Sequence, residues 1–467
     1  MPAISDSPSA VHPVTLVHRI RAGDPALWAI VTVVFALYTT LSVARYLTGS
    51  PASWDLGIFT EAVAHYAKGD APMVAIKDMD QRGDHYSPVL MVLAPFFRVF
   101  PSAVTLLVAQ AALAAASVVP VYRAAEQLLT RNEARLIAAA YGLSWGLANM
   151  VWYDFHEIAF AVPLLACSMS ALARRCPWAA FWWAVPLVWV KEDQGWTLAT
   201  IGLIVALFYR QRLAGGLLAV WGVGWALLAT YVLIPAMNPS GTYPYWKDSP
   251  HHLGVLATSW EAKGPLLALL LLPTAGLALR SPLALAAVPA VALRLVSSNH
   301  AYWGTSWHYS ATAMPILFVA AIDGLHRLRT RPSWARGSLS PWLGAHGPAL
   351  MVAVAAAMVF QSPLHELWQP GTYRTPQHIE AASQAERMIP SGQTVAATMG
   401  QLASLGARND VCWNRCPAAP QWILLDQAKG TWWQWQVEPS AVTGDYRHAT
   451  YRTVFHTDQV WLLKRVR

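Results

Sequence analysis

Charged residues are scarce in this chain of 467 residues and make up only 12% of it, against about 25% in soluble domains. Because a surface in water needs charge, this deficit excludes a string of ordinary soluble domains, although the length alone would fit about three of them. Cysteine is also rare, with four residues, which excludes a disulfide-stapled scaffold. Hydrophobic residues make up 55%, and Trp occurs 24 times. This composition is typical of an integral membrane protein with indoles at the membrane interfaces.

The net charge of +8 does not indicate a nucleic-acid partner, because the basic residues are dispersed and lie mainly beside apolar runs. Among the cysteines, Cys412 and Cys416 share a polar C-terminal stretch. A zinc site would need a second such pair or added histidines. If this stretch lies outside the cytoplasm, the two can form a local disulfide, and otherwise they are idle thiols.

Long apolar runs indicate the membrane spans. The first, from Ala26 to about Leu47, is longer than the roughly 7–15 apolar residues of a signal peptide and is therefore expected to remain as an anchor. Further runs lie near 103–122, 136–153, 157–173, 178–190, 195–209, 214–236, 264–279, 281–298, 309–325 and 346–361. The sequence thus predicts an all-α polytopic bundle of about eleven helices, some of them shorter than the ~20 residues of a perpendicular span.

Arginine placement predicts the orientation of the bundle. With residues 1–25 in the cytoplasm, every inner connection carries arginine, as the positive-inside rule requires. These residues are Arg123, Arg131, Arg135, Arg174, Arg175, Arg210, Arg212, Arg280, Arg327, Arg329, Arg331 and Arg336. An odd number of spans then puts the C-terminal region 363–467 outside. The expected organisation is a transmembrane domain over 26–362, with a large first outer loop at 49–86, followed by an extracytoplasmic domain.

The C-terminal region has the pattern of a small α/β domain. A helix is expected at 379–389, then a strand over Thr394–Met399 and a short helix to about Arg408. The run Trp422–Asp426 reads as a second buried strand, and 452–465 as a hairpin across Thr457 and Asp458. Asn409 and Asp410 are expected to form a turn.

Ionisable and aromatic groups collect in the other set of loops, which are the outer loops of this topology. They are Asp55, Arg82, Asp84, His85, Asp154, His156, Glu157, Lys191, Glu192, Asp193, His300, His308 and Tyr309. Ionisable groups at membrane level are costly and indicate function by default. The sequence therefore predicts a cavity that opens outward, with Asp55, His85, His156, Glu192 and His300 lining it together.

Asp55 follows Trp54 at the start of a segment with helical spacing of apolar residues, which predicts an amphipathic helix on the membrane. A carboxylate in its first turn can deprotonate an acceptor hydroxyl or orient a cation, or it can simply cap the helix. Asp84 could orient His85 for acid–base work, although His85 could equally be a polar loop residue.

The other clusters also have two interpretations. Asp154, His156 and Glu157 could bind a metal only with irregular backbone, and helix capping is the rival. Lys191, Glu192 and Asp193 could face a water-filled cavity, with Lys191 receiving a phosphate, or could form a structural ion pair. The histidines at 300 and 308, with Tyr309, could add to the same face or form an aromatic girdle.

Four motifs in order, Trp54–Phe59, Gly83–Pro88, Asp154–Glu157 and Lys191–Gly195, resemble the bacterial DUF2079 membrane proteins, and the resemblance covers about residues 26–465. Members of that family look like relatives of the GT-C glycosyltransferases. The resemblance implies transfer of a sugar from a polyprenyl-phosphate donor to an acceptor outside the bacterial cytoplasmic membrane, with Asp55 as the catalytic carboxylate of the first outer loop.

The same resemblance leaves the cofactor open. Metal-dependent relatives carry a compact Asp-x-Asp at the position of Asp55, whereas here the nearest such spacing is Asp78 to Asp80. A divalent metal is therefore not indicated by a motif. In the enzyme interpretation, Lys191 with Arg82 or His85 would hold the lipid phosphate.

Two other functions fit the sequence. A transporter or flippase could use Asp154, His156, Glu157 and Asp193 as a proton relay, although no inverted repeat is visible and the polar clusters lie at one face instead of the midplane. A non-catalytic envelope scaffold could bind a partner through the C-terminal region. Membrane lipids are the expected surroundings in all three cases.

Overall fold

A computed structural model describes residues 23–49, 54–248, 253–330, 339–428 and 438–467. The expected cytoplasmic segment therefore lies almost entirely outside the described residues, as do Arg331 and Arg336 of the last expected inner connection. The described chain forms a helical domain followed by a small sheet with three helices around it.

The helical domain contains most of the chain. Its helices are α1 (Pro25–Leu47), α2 (Trp54–Lys68), α3 (Ala94–Val99), α4 (Ala103–Ala116), α5 (Val118–Leu128), α6 (Arg131–Gly142), α7 (Trp145–Tyr153), α8 (Ala161–Ala173), α9 (Pro177–Ala184), α10 (Gln194–Phe208), α11 (Arg212–Leu228), α12 (Ile234–Met237), α13 (Tyr245–Asp248), α14 (Trp260–Leu271), α15 (Val288–Val296), α16 (Ala313–Thr330) and α17 (Leu339–Val359). Many are extended by 3₁₀ turns.

Within the described residues, five helices are long and apolar enough to cross a membrane. They are Pro25–Leu47, Ala103–Leu128, Arg212–Met237, His308–Thr330 and Leu339–Val359. Four shorter apolar helices accompany them: Pro88–Val99, Glu157–Ala173, Gln194–Phe208 and Pro282–Val296. Large apolar side chains such as Leu213 and Val220 are 70% and 73% exposed, as expected of a surface that faces lipid. The protein is membrane-embedded, while the count of about eleven spans stays a prediction.

Several expected spans are interrupted where the backbone cannot continue as a helix. In the run near 264–279, α14 is followed by 3₁₀ turns in which Ala275 and Gly276 have positive φ. In the run near 178–190, α9 ends at Ala184 and a 3₁₀ turn follows it. Prolines within these runs remove the amide donors that a continuous helix requires.

The N-cap residue of α1, Asp24, also bonds to side chains of two neighbouring helices. Asp24 caps α1, where its Oδ1 accepts from the amide of Ala26 at 3.1 Å. The same carboxylate binds Arg135 at 2.8 Å and the hydroxyl of Tyr122 at 2.6 Å. One N-cap residue thus fixes α1 against α5 and α6.

The C-terminal sheet has five strands in the order β4, β3, β5, β7, β6, with β3 parallel to β4 and β5 and the other pairs antiparallel. The bounds are β3 (Thr394–Ala397), β4 (Asp410–Trp413), β5 (Trp422–Asp426), β6 (Tyr451–Thr457) and β7 (Val460–Arg465), with helices α18 (Gln377–Arg387), α19 (Leu402–Gly406) and α20 (Pro439–Gly444). A two-stranded hairpin, β1 (Met73–Val74) with β2 (Met79–Asp80), lies between α2 and α3.

The expected strands at 394 and 422, the hairpin across Thr457 and Asp458 and the helix near 379–389 are confirmed. The expected turn at Asn409 and Asp410 is wrong in part, because Asp410 begins strand β4. Cys412 and Cys416 are joined by a disulfide.

The amphipathic pattern of α2 predicted a helix that lies on the membrane surface. This prediction is wrong, because every residue from Leu56 to Ala64 is buried. Phe59 and Val63 pack into the core of the helical domain. Ile58 and Ala62 belong to a second core that contains residues of the C-terminal sheet. The helix is therefore held between the two parts of the chain.

Candidate functional site

The break after α7 brings three ionisable residues to one point. Asp154 has φ −172° and ψ −158°, and His156 is also extended, so the chain leaves the helix before the next 3₁₀ turn begins at Glu157. Gln110 of α4 satisfies this break: its Nε2 donates to the carbonyl of Asp154 at 2.5 Å, and its Oε1 accepts from the amide of His156 at 3.0 Å. A buried amide side chain thus holds the irregular backbone that the sequence interpretation required.

Asp55 faces this break from the first turn of α2. Its Oδ2 accepts from the hydroxyl of Tyr153 at 2.6 Å and lies 3.4 Å from His156 Nε2. Its side chain is 21% exposed. The bond to the start of α2 comes instead from Asp154, whose Oδ2 accepts from the amide of Leu56 at 3.3 Å. The capping interpretation therefore fits Asp154 better than Asp55.

His156 lies at the start of an alternating row of charges. Its Nδ1 is 2.9 Å from Glu157 Oε2, and the other oxygen of Glu157 is 3.2 Å from Lys191 Nζ. Because both ring nitrogens of His156 meet carboxylates, neither is left to bind a metal. The row Asp55, His156, Glu157, Lys191 alternates in sign, which compensates the cost of burying its members.

The charges of this row follow from burial and neighbours. Burial raises the pKa of Asp55, but the hydrogen bonds from His156 and Tyr153 outweigh it and hold the pKa below its ordinary value. Burial lowers the pKa of His156, while Glu157 and Asp55 act in the opposite direction and raise it to about 9. Burial, with the charge of Asp55 nearby, raises the pKa of Asp154 to about 8. At neutral pH, Asp55 is thus a carboxylate beside an imidazolium.

A second group surrounds Glu192. Its Oε1 lies 2.8 Å from His85 Nδ1 and accepts from the hydroxyl of Tyr243 at 3.0 Å. The His85 ring stacks on Tyr245 with the ring centres 4.4 Å apart, and the Tyr245 hydroxyl donates to Asp84 at 3.0 Å. The segment between α2 and α3 is thereby fixed to the charged segment at 191–193 and to the start of α13.

Between these groups lies a cavity of about 300 Å³. Its polar wall contains His85, Lys191, Glu192, Asp193, Arg294, His308 and Tyr309. Its apolar wall contains Ile158, Trp196, Ala226, Leu227, Ala290 and Leu293. A site with one polar and one apolar side suits an amphiphilic ligand with a charged head and a hydrocarbon chain.

Asp55 and His156 are not among the residues that line this cavity. His156 reaches its wall through His308, because the two rings stack with their centres 3.5 Å apart. Asp193 lines the cavity, with its carboxylate bound by the side chain of Gln194 at 3.0 Å.

Three of the five residues expected to line one cavity, Asp55, His156 and His300, do not line it, so that expectation is wrong. Arg82, a separate candidate for binding, also lies elsewhere. His300 lines a separate cavity of about 410 Å³ with Glu261 and Trp303, because its ring stacks on Trp303. Arg82 forms two bonds to Asp80, at 2.7 and 3.0 Å, and it does not line either cavity. Arg82 is absent from the cavity because its guanidinium binds the carboxylate of Asp80, two positions earlier in the chain.

Sequence reasoning missed Gln110 and Arg294. Arg294 donates to the carbonyls of Tyr302 and Gly304 and to the hydroxyl of Ser310, and so it fixes the segment that carries His308. Both residues are lone polar side chains within apolar runs, and such residues are a signal of function in membrane proteins. Tyr153 directly precedes the motif at Asp154–Glu157, but its bond to Asp55 spans 98 positions and leaves no local pattern.

A helical domain with a charged site at one end and a small C-terminal sheet defines a membrane-embedded protein. The chain belongs to the DUF2079 family, since the family model, described as a predicted membrane protein, matches residues 50–462. The expected family resemblance is thus confirmed. No curated protein matches the chain.

Solved structures share this fold. The chain is similar to ArnT from Cupriavidus metallidurans bound to undecaprenyl phosphate, with 14% identity, a TM-score of 0.55, and coverage of 95% of this chain and 98% of that chain. For ArnT in the apo state, the identity is 13%, the TM-score 0.57, and the coverage 93% and 97%. At such identities the likeness concerns the fold.

Proposed function

We propose that this protein is a glycosyltransferase that moves a sugar from a polyprenyl-phosphate donor to an acceptor at the outer face of the cytoplasmic membrane. The observation that carries the proposal is the position of Asp55, an ionised and partly exposed carboxylate that is joined through His156 and His308 to an amphiphilic cavity. The fold likeness to ArnT, whose structure holds undecaprenyl phosphate, supports the lipid class.

The cavity suits the donor lipid. The apolar wall would take the first isoprene units, and the side of the cavity that carries the exposed Trp196 and Tyr231 would lead the rest of the chain to lipid. The polar wall would take the phosphate. Lys191 has three N–H donors, and Glu157 takes one of them. Arg294 is committed to the loop around His308 and would act as a distant positive charge.

Asp55 would serve the acceptor. Its carboxylate would accept the proton of the acceptor hydroxyl while that oxygen attacks the anomeric carbon of the sugar. The bond between this carbon and the phosphate oxygen would break, and polyprenyl phosphate would leave with the electron pair. Lys191 and His85 would stabilise the charge on the leaving phosphate, which is the largest catalytic contribution that such a site offers.

The outward orientation rests on two supports. Arginines in the described inner connections, including Arg135 and Arg329, lie at the ends of the helices opposite the site. The disulfide between Cys412 and Cys416 suits an oxidising compartment. Both favour an extracytoplasmic C-terminal domain and a site that opens outward.

The test is turnover by the purified protein in liposomes that contain undecaprenyl-phosphate-linked sugars, with an extract of envelope glycolipids as acceptor. Mass spectrometry would detect free undecaprenyl phosphate and a glycosylated acceptor, both of which the proposal expects. Movement of the donor across the bilayer without cleavage would overturn the proposal in favour of a flippase. Neither movement nor cleavage with any hexose or pentose donor would favour the scaffold.

A further inference from the structure

A second group of potential ligands lies where the C-terminal sheet meets α2, away from the site described above. Glu61 and His65 are four positions apart on α2, so both side chains point from the same face of the helix. Asp410 is the first residue of β4, in the C-terminal sheet. The three residues therefore come from the two parts of the chain that meet at this helix.

We propose that Glu61, His65 and Asp410 bind a divalent transition-metal ion of the zinc class, which fastens the C-terminal domain to α2. One ligand atom from each residue lies within 4.8 Å of the others, and His65 Nε2 is 3.9 Å from Asp410 Oδ1. With metal–ligand bonds of about 2.0–2.2 Å, tetrahedral zinc holds its ligand atoms roughly 3.3–3.5 Å apart. Small rotations of the exposed Asp410 side chain would close the remaining gap.

Glu61 gives an independent reason to expect a ligand. The residue is 1% exposed, and its Oε1 accepts from the amide of Val411 at 3.3 Å. Its Oε2 is buried and has no hydrogen-bond partner among the described residues. A buried carboxylate oxygen without a partner is costly, and a bound cation would satisfy it.

The donor set selects the kind of ion. One imidazole with two carboxylates suits zinc and neighbouring transition metals, whereas calcium and magnesium prefer oxygen ligands alone. The two carboxylates would balance the charge of the ion, and water would complete the coordination. The Asp410 side chain is 58% exposed, which leaves a path for the ion from the aqueous side.

A bound metal ion would strengthen the attachment of the C-terminal domain to α2. Glu61 already touches the backbone of β4 through Val411, and a metal would add a second and stronger link at the same place. Asp55 lies on the same helix, six positions before Glu61. This site therefore goes beyond the proposed function and does not depend on it, since a scaffold or a flippase could carry the same fastening.

The experiment uses the full-length protein in detergent, with its disulfide oxidised, stripped with a chelator and then titrated with zinc against a chromophoric competitor. Cobalt replaces zinc in a parallel titration read by its visible absorption. The variants are His65→Ala and Asp410→Asn, with His456→Ala and Asp445→Asn as matched controls in the C-terminal domain. Size-exclusion profiles establish that each variant is folded.

We expect His65→Ala and Asp410→Asn each to lose one equivalent of bound metal or to weaken it more than about tenfold, because loss of even an outer partner of a metal ligand costs roughly 10–100-fold. The controls should bind as the parent does. Zinc should also raise the melting temperature of the parent and not that of the two variants. Equal affinity in His65→Ala and the parent would overturn the proposal, as would a cobalt spectrum unchanged by both substitutions.

Discussion

The ring of His156 stacks on the ring of His308 with their centres 3.5 Å apart, and this contact joins the carboxylate of Asp55 to the wall of the amphiphilic cavity. His156 carries the charge of the pair, because Asp55 and Glu157 flank it on both nitrogens. His308 belongs to the polar wall of the cavity. In the proposed reaction, the sugar of a donor held in the cavity would reach past this stacked pair to the acceptor hydroxyl at Asp55.

Replacement of Asp55 by Asn tests the catalytic carboxylate. General-base assistance is worth roughly 10²–10⁴-fold, and we expect transfer to fall by that factor while binding of undecaprenyl phosphate is unchanged, since Asp55 does not line the cavity. Product formation by the purified variant gives the measurement. Asp80→Asn is the matched control, because that carboxylate also lies between α1 and α3 and binds only Arg82 among the described side chains. Parental turnover by Asp55→Asn would contradict a role in proton transfer.

Replacement of Glu157 by Gln tests the buried row of charges. The variant leaves Lys191 without the carboxylate 3.2 Å away, and removal of one partner from a buried ion pair costs about 3–5 kcal/mol. We expect a clear drop in melting temperature, and the double variant Glu157→Gln with Lys191→Met should recover part of it. Glu126→Gln, which removes an exposed pair with Arg131, should change stability by about 1 kcal/mol or less. If Glu157→Gln and Glu126→Gln lowered the melting temperature equally, the buried row of charges would contribute no more to stability than an exposed ion pair.

The stability of the fold should fall in mildly alkaline solution because of His156. The pKa of this imidazole is raised from 6.5 to about 9, so its contribution is complete below pH 6.5 and disappears as pH rises through about 9. The linked change is on the order of 3 kcal/mol. Melting temperatures measured from pH 6 to 10 in the parent and in His156→Gln give the test. A parallel decline in both proteins would assign the effect to other groups.

Gly57 tests the contact between α2 and the C-terminal domain. A Cβ at this position would lie 2.9 Å from side-chain atoms of Ile76 and Leu402, and such overpacking costs about 1–3 kcal/mol. We expect Gly57→Ala to lower the melting temperature and to increase cleavage of the C-terminal domain by added protease. Gly224→Ala is the matched control, because a Cβ there meets nothing within 4 Å. Unchanged protease resistance in Gly57→Ala would contradict tight docking.

The orientation of the protein is tested by reporter fusions. A reporter placed after Arg212 should be active in the cytoplasm, and one placed after Ser362 should be active outside, because arginine-bearing connections are retained inside. A fusion after Arg212 that reports outside, or one after Ser362 that reports inside, would invert the topology and remove the support for an outward-facing site.

The sequence by itself determined what depends on composition and on short-range pattern. Scarce charge and long apolar runs indicated the membrane class, and the runs at Thr394 and Trp422 indicated two buried strands, because alternation and β-branched content are local properties. The motif at Asp154–Glu157 was found for a similar reason, since ionisable groups between apolar runs are conspicuous. The polar outer loops pointed to a site at one end of the bundle.

Only the tertiary structure decided which of these groups meet. His85 pairs with Glu192 across 107 positions, while Arg82, three positions before His85, turns back to Asp80. The tertiary structure also buried α2 on both faces. The apolar pattern of this helix is the same whether it packs against lipid or against a sheet that lies more than 300 residues later in the chain. Hydrophobic burial is not directional. The sequence therefore specified which faces must leave water, and the packing of the whole chain chose what covers them.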